Sequence, residues 1–168
     1  LLERCSLPEI EAVMAHEMGH YVLSHVWRSL AGIGLVIAAG LAVANALFDR
    51  LRARWPGWGI RGIADPAGLP LAALLLTAYA FVLAPVANGF VRAYEREADL
   101  FGLNAARQPD GFARVALKLS GYRKLEPGPL EEILFYDHPS GRSRIREAMR
   151  WKAERPDTWS PAAAAATR

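Results

Sequence analysis

The stretch of sequence best suited to chemistry is His16-Glu17-Met18-Gly19-His20, in which two histidines stand four residues apart and a glutamate directly follows the first. On a helix, such histidines project from one face, about 40° apart around the axis. They can therefore bind one zinc ion from successive turns, while the glutamate serves as a general base toward a water molecule. The same pattern also arises by chance on surface helices, and a catalytic zinc site needs a third protein ligand.

A third zinc ligand could come from another histidine or from a carboxylate elsewhere in the sequence. His25 lies nine residues after His16, on the opposite side of a continuous helix, and we assign it a structural or interfacial role. Glu95 and Asp99 are four residues apart and share a helix face, whereas Glu97 points about 200° away from Glu95. One of the two carboxylates can bind zinc while the other accepts a hydrogen bond from a ligating histidine. The alternative is a solvated helix face with Glu/Arg pairs.

The helix signals of the sequence predict an all-α chain. Ser6-Leu7-Pro8-Glu9 has the form of a capping box with proline in the first turn, and it predicts a helix from there to about Trp27. Further helices are expected at about residues 90–106, 111–120, 130–136 and 142–153. We expect a catalytic domain over residues 1–154 and a disordered tail over residues 155–168.

Two long runs without charged residues separate the halves of this candidate site. They cover residues 29–48 and 66–91. Because a spanning helix needs about twenty predominantly apolar residues, we predict membrane helices at about 29–48 and 69–90, with Pro85 kinking or ending the second. The alternative is a pair of core helices in a soluble protein, where charge-free runs of this length are uncommon. Two crossings would return the chain to its starting side, so Glu95 and His16 are expected on the same side of the bilayer.

The composition excludes several other classes of site. The net charge is only +3 and the basic residues are scattered, so no nucleic-acid partner is expected. The single cysteine, Cys5, rules out an intrachain disulfide and a cysteine-based zinc site, and we expect it to be a buried small residue. Arginines are equally numerous near both ends of the apolar runs, so the positive-inside rule does not decide the orientation. The two sets are Arg50, Arg52, Arg54 and Arg61 against Arg28, Arg92, Arg96 and Arg107.

Taken together, three motifs in this order resemble those of the integral-membrane gluzincin metalloproteases, which include the type I CAAX prenyl protease and the HtpX-like heat-shock proteases. The first motif is His-Glu-x-Gly-His at residues 16–20, and the two apolar runs follow it. The second is Arg-x-aromatic-Glu-x-x-Ala-Asp at residues 92–99, and the third is His-Pro followed by Arg-Ile at residues 138–145. The resemblance covers about residues 9–150.

The resemblance implies a role for each matching residue. It implies one Zn²⁺ per chain, bound by His16, His20 and Glu95. Glu17 would be the general base and proton shuttle, and Asp99 would support a ligating histidine. His138 would stabilise the oxyanion or position the substrate. Arg144 would bind the substrate or, as we favour, hold the His-Pro loop.

The function implied by this resemblance is that of a zinc endopeptidase in a bacterial inner membrane, with a polypeptide substrate and the lipid bilayer as partners. Tyr94 before the third ligand is similar to the CAAX-protease branch. The alternatives are a broad quality-control protease, a non-catalytic membrane scaffold and a soluble helical binding domain. The resembled proteases have about seven or about four spanning helices, whereas this sequence shows two, so we expect a C-terminal fragment of a longer bacterial protein.

Overall fold

The described part of the chain is almost wholly helical. Its computed structural model describes residues 3–122 and 124–156, with only the backbone of Tyr122. The predicted tail lies, from residue 157 on, outside these described residues. Within them no strand is present, and the predicted all-α class is confirmed. The helices are α1 (Leu7–Val22), α2 (His25–Arg54), α3 (Leu69–Ala106), α4 (Pro109–Leu119), α5 (Pro129–Phe135) and α6 (Gly141–Glu154), with short 3₁₀ turns at Pro56–Trp58, Pro66–Gly68 and Ser120–Tyr122.

The described residues form two compact units. The first contains the residues up to Val26 and those from Asn88 onward, and the second is Trp27–Ala87. The predicted catalytic domain over residues 1–154 remains a prediction. Cys5, which we expected to be buried, is only half-buried. The first unit is held by an apolar core contributed by α1, α3, α4 and α6, namely Ala12, Leu103, Phe112, Ala148 and Trp151.

Helix α1 ends earlier than the sequence predicted. It stops at Val22 instead of about Trp27, and α2 begins at His25. Ser24 lies between the two helices with a φ of 55°, in the left-handed region that commonly terminates helices. Its N–H donates to the Tyr21 carbonyl at 3.1 Å. Serine seldom adopts this conformation, so no residue type in the sequence marked the break.

The start of α1 is fixed by a buried carboxylate. Glu9 is 1% exposed and accepts hydrogen bonds from the Ser6 backbone N–H and the Lys118 ammonium, both at 2.7 Å. Arg114 lies 3.6 Å from the other carboxylate oxygen. The Lys118 hydrogen bond, followed by that from the Ser6 backbone, lowers the pKa of Glu9 to about 2. Glu9 therefore caps α1 and links it to α4 as long as it is charged.

We expect Glu9→Gln to destabilise the protein at neutral pH and to lose this effect in acid. A lowered pKa in the folded state stabilises the protein fully above the unfolded value of about 4.5, and the contribution disappears as the pH falls toward about 2. Thermal unfolding of the wild type and the variant across this range should give midpoints that converge in acid. Glu11→Gln, which changes an exposed carboxylate, is the control. A midpoint difference that stays constant with pH would contradict the prediction.

Helix α3 is continuous through Pro85. The sequence predicted a kink or an end there and a separate helix from about Phe90, and the separate helix is wrong. Proline removes the hydrogen bond to the carbonyl four residues earlier, that of Phe81, but the other bonds of a 38-residue helix remain. As a result, Glu95 and Asp99 lie on the same helix as the second apolar run.

Helices α2 and α3 are both long and apolar enough to cross a membrane. In the most apolar 18-residue window of each, only 6% of the residues are buried, and side chains such as Leu35 and Phe81 are more than 70% exposed. A core helix of a soluble protein would be mostly buried. Within the second unit the two helices are joined at Tyr79, whose ring packs against Gly40 and whose hydroxyl donates to the Val36 carbonyl at 2.6 Å.

Candidate active site

The site forms where α1 and α3 approach almost to backbone contact. A Cβ atom added at Gly19 would lie 3.1 Å from the Ala98 Cα, and one at Gly102 would lie 3.0 Å from the His16 backbone nitrogen. Larger side chains at either glycine would separate the helices. Because the two helices are this close, the Glu95 side chain is long enough for its carboxylate to contact the histidines of α1.

The three predicted ligands converge on one point. His16 Nε2 and His20 Nε2 are 3.1 Å apart, and the Glu95 carboxylate oxygens lie 3.5 Å and 3.4 Å from them, respectively. Zinc held tetrahedrally at about 2.0–2.1 Å requires donor atoms about 3.3 Å apart. Each distance is to a different oxygen of Glu95, and one donor atom from each of the three residues lies within 4.8 Å of the other two. Two imidazole nitrogens and one carboxylate oxygen at this spacing can hold a zinc ion and leave one coordination position open.

Asp99 and Arg144 lie directly behind His16. The Asp99 carboxylate is 2.7 Å from His16 Nδ1, the nitrogen that faces away from the convergence point. Arg144 donates two hydrogen bonds to Asp99, from Nε at 2.9 Å and from Nη2 at 2.5 Å. Its guanidinium also lies over the Phe112 ring, 5.1 Å from the centroid. These contacts make Arg144 an anchor for Asp99. The role favoured from the sequence, that of holding the His-Pro loop, stays a prediction.

The pKa values of the two histidines move in opposite directions. Burial by itself would lower the pKa of His16, but its hydrogen bonds to Asp99 and Glu95 outweigh burial and raise it to about 9. Burial also lowers the pKa of His20, and here the attraction of Glu95 does not compensate. His16 therefore holds a proton more tightly than His20 does.

Glu17 and His138 face the same cavity, which has a volume of about 300 Å³. Glu17 is an exposed residue of α1 that forms part of the cavity wall. His138 precedes α6, with Nε2 3.4 Å from a Glu95 oxygen and Nδ1 3.0 Å from the Asp137 carboxylate. The residues expected from the sequence to carry chemistry thus all line, or lie directly behind, one cavity.

His25 is placed differently from the sequence expectation. Because α1 breaks at Ser24, His25 does not point away from the site: its Nδ1 lies 3.0 Å from His20 Nδ1. Its Nε2 lies 3.2 Å from Glu97, which sequence reasoning set aside as facing away from Glu95. No signal in the sequence indicated the break, and Glu97 is 72 residues distant from His25, so this contact was not predicted.

The all-helical fold and the His/His/Glu donor set are of the kind that the resemblance to the gluzincin metalloproteases implies. The chain belongs to peptidase family M48, whose profile matches residues 1–152, so the predicted membership of this metalloprotease family is confirmed. It is 35% identical over 143 residues to the protein named Uncharacterized metalloprotease YhfN of Bacillus subtilis (strain 168). That alignment covers 83% of this chain and 34% of the relative, so the chain spans about a third of the relative's length. No solved structure gives a significant match.

Proposed function

We propose that this chain carries the catalytic site of a zinc-dependent endopeptidase of the membrane. The observation that supports this most strongly is the convergence of His16, His20 and Glu95 beside a cavity whose wall includes Glu17. Three protein donors with an open fourth position distinguish a catalytic zinc site from a structural one, which is closed by four. We propose one zinc ion per chain because the described residues contain one such donor set.

Each of the proposed site residues has a different role in hydrolysis. Bound zinc would activate a water molecule and polarise the scissile carbonyl. Glu17 removes a proton from the attacking water and later delivers it to the departing amine. His138, across the cavity, donates a hydrogen bond to the oxyanion that develops on the substrate. Asp99, held by Arg144, keeps His16 in the tautomer that presents Nε2 to the metal.

The bilayer is the proposed surrounding of the apolar parts of α2 and α3. Their exposed apolar side chains are suited to lipid, and Trp55 and Trp58, which follow the apolar part of α2, suit the membrane interface. A protein with these helices in a bilayer should stay in the membrane pellet after carbonate extraction and require detergent for release. Release without detergent would reject the membrane part of the proposal and favour the soluble binding domain.

For the substrate we propose prenylated polypeptides, as in the CAAX-protease branch, with unfolded membrane proteins as the alternative. The basis is Tyr94, directly before Glu95. In the structure its ring stacks on His25 at 4.9 Å between centroids, so Tyr94 also has a local packing role. Cleavage of a farnesylated CAAX peptide and of an unfolded membrane protein, measured side by side, separates the two substrates.

The experiment that tests the proposed activity is proteolysis by the detergent-purified protein with and without a zinc chelator. We expect the chelator to abolish cleavage and stoichiometric zinc to restore it. A protein that binds zinc but cleaves neither substrate would support the non-catalytic scaffold. Cleavage unaffected by the chelator would reject the zinc mechanism.

A further inference from the structure

His25 is a buried histidine with both ring nitrogens in contact with polar partners. It is 3% exposed, at the first position of α2. On one side its Nδ1 faces His20 Nδ1 at 3.0 Å, and on the other its Nε2 faces the Glu97 carboxylate at 3.2 Å. Burial of an imidazole is costly unless such partners satisfy it. His25 therefore lies directly behind the predicted metal ligand His20, with a polar partner at each ring nitrogen.

The direction of each hydrogen bond follows from the metal ligand. His20 presents Nε2 to Glu95 and His16, so a metal ion takes the lone pair of Nε2 and the hydrogen must be on Nδ1. That hydrogen is donated to His25 Nδ1, which accepts it. A neutral His25 then carries its own hydrogen on Nε2 and donates it to Glu97, which as a carboxylate only accepts. All donors thus point away from the metal position.

We propose that Glu97 and His25 form an orienting chain that fixes the ring and tautomer of His20 for metal binding, an inference that rests on the proposed zinc site. It is the counterpart of Arg144 and Asp99 behind His16. His25 and Glu97 are positioning residues, because neither reaches the cavity or the convergence point. Each ligating imidazole then has its own partner at the far nitrogen, an arrangement that strengthens metal binding.

A purely structural role for His25 makes different predictions. The ring stacks on Tyr94 with planes 20° apart, so a bulky residue of any polarity could fill the space between α1 and α3. In that case the loss of His25 would lower stability without a specific effect on the metal. The acceptor atom at the Nδ1 position, as opposed to the volume of the ring, is therefore what must be tested.

The test compares His25→Asn with His25→Leu. Asparagine places an amide oxygen close to the position of Nδ1 and can still accept from His20, whereas leucine fills space without an acceptor. Zinc affinity, measured by competition with a chelator, should fall about 10–100-fold in His25→Leu and be largely rescued in His25→Asn. The visible spectrum of the Co²⁺-loaded protein should change in the leucine variant and stay close to wild type in the asparagine variant.

A second pair of variants guards against misfolding at the buried position. The Glu97 side chain is 43% exposed, so Glu97→Ala should fold and weaken zinc in the same direction as His25→Leu. The double variant with both changes should lose less zinc affinity than the product of the fold-losses in the two single variants. The reason is that both changes act through one chain of contacts. Leu103→Ala creates a cavity in the core and does not touch the His25–Glu97 orienting chain. It serves as the control for lost stability.

Three results decide the matter. Wild-type zinc affinity and cobalt spectrum in both His25→Leu and Glu97→Ala would overturn the orienting chain. Equal losses of zinc in His25→Leu and Leu103→Ala, scaling only with stability, would also overturn it. If the wild type itself binds no zinc, the proposed function fails first, and this failure is distinct because it precedes any effect of the variants.

Discussion

Glu17→Gln is expected to retain one zinc per chain and to lose about 10²–10⁴-fold in the rate of peptide cleavage. The glutamine side chain has nearly the same shape as glutamate but cannot take a proton from water at neutral pH. Glu17 lies on the cavity wall, exposed, and is not one of the three convergent donors. The metal set should therefore remain complete while the proton transfers fail. Zinc content and cleavage rate are measured on the same preparation.

The matched control for this change is Glu11→Gln, the same substitution on the same helix. Glu11 is exposed and accepts a hydrogen bond from Gln108 at 2.9 Å, outside the cavity. It should leave both zinc and cleavage unchanged. A Glu17→Gln protein that cuts substrate at the normal rate would falsify the assignment of the general base. Loss of zinc in the Glu17→Gln variant would instead indicate that Glu17 is itself a metal ligand.

The candidate ligands were accessible to sequence reasoning because each belongs to a local pattern. His16 and His20 share a helix face by their spacing, and so do Glu95 and Asp99, so only the meeting of the two helices had to be inferred. The structure supplies that meeting through glycines at the crossing, which permit backbone contact. Periodicity identifies which residues share a face, but the partner that this face meets is a tertiary property.

The parts that escaped prediction depend on single backbone torsions or on distant contacts. Ser24 in the left-handed region redirects the chain, and this alone turns His25 from the far side of α1 toward His20. Proline inside a helix commonly kinks or ends it, yet Pro85 lies within the continuous α3. Glu97 could not be paired with His25 without knowledge of the break. Local propensity is weak at such points because tertiary packing decides them.

Glu95→Ala is expected to weaken zinc binding by more than about 100-fold. This loss is larger than the loss expected when a residue that only hydrogen-bonds to a metal ligand is removed. The carboxylate is the only donor of the three that comes from α3, and it lies within 3.5 Å of both histidine nitrogens. Without it, two imidazoles on α1 are left to hold the ion, and water must replace an anionic ligand. Zinc content after detergent purification, followed by chelator competition, measures the loss.

The control for Glu95→Ala is Glu147→Ala, which removes a carboxylate of the same unit that pairs with Arg96 at 3.2 Å, away from the donor set. This variant should keep wild-type zinc. Zinc affinity unaffected by Glu95→Ala would show that the third ligand is elsewhere, with His138 the next candidate because its Nε2 lies 3.4 Å from Glu95. Loss of zinc in Glu95→Ala with retention in Glu147→Ala would instead tie metal binding to the crossing of α1 and α3. The ion would then join two helices that are distant in sequence, and its removal should lower the thermal stability of the wild type but not that of Glu95→Ala.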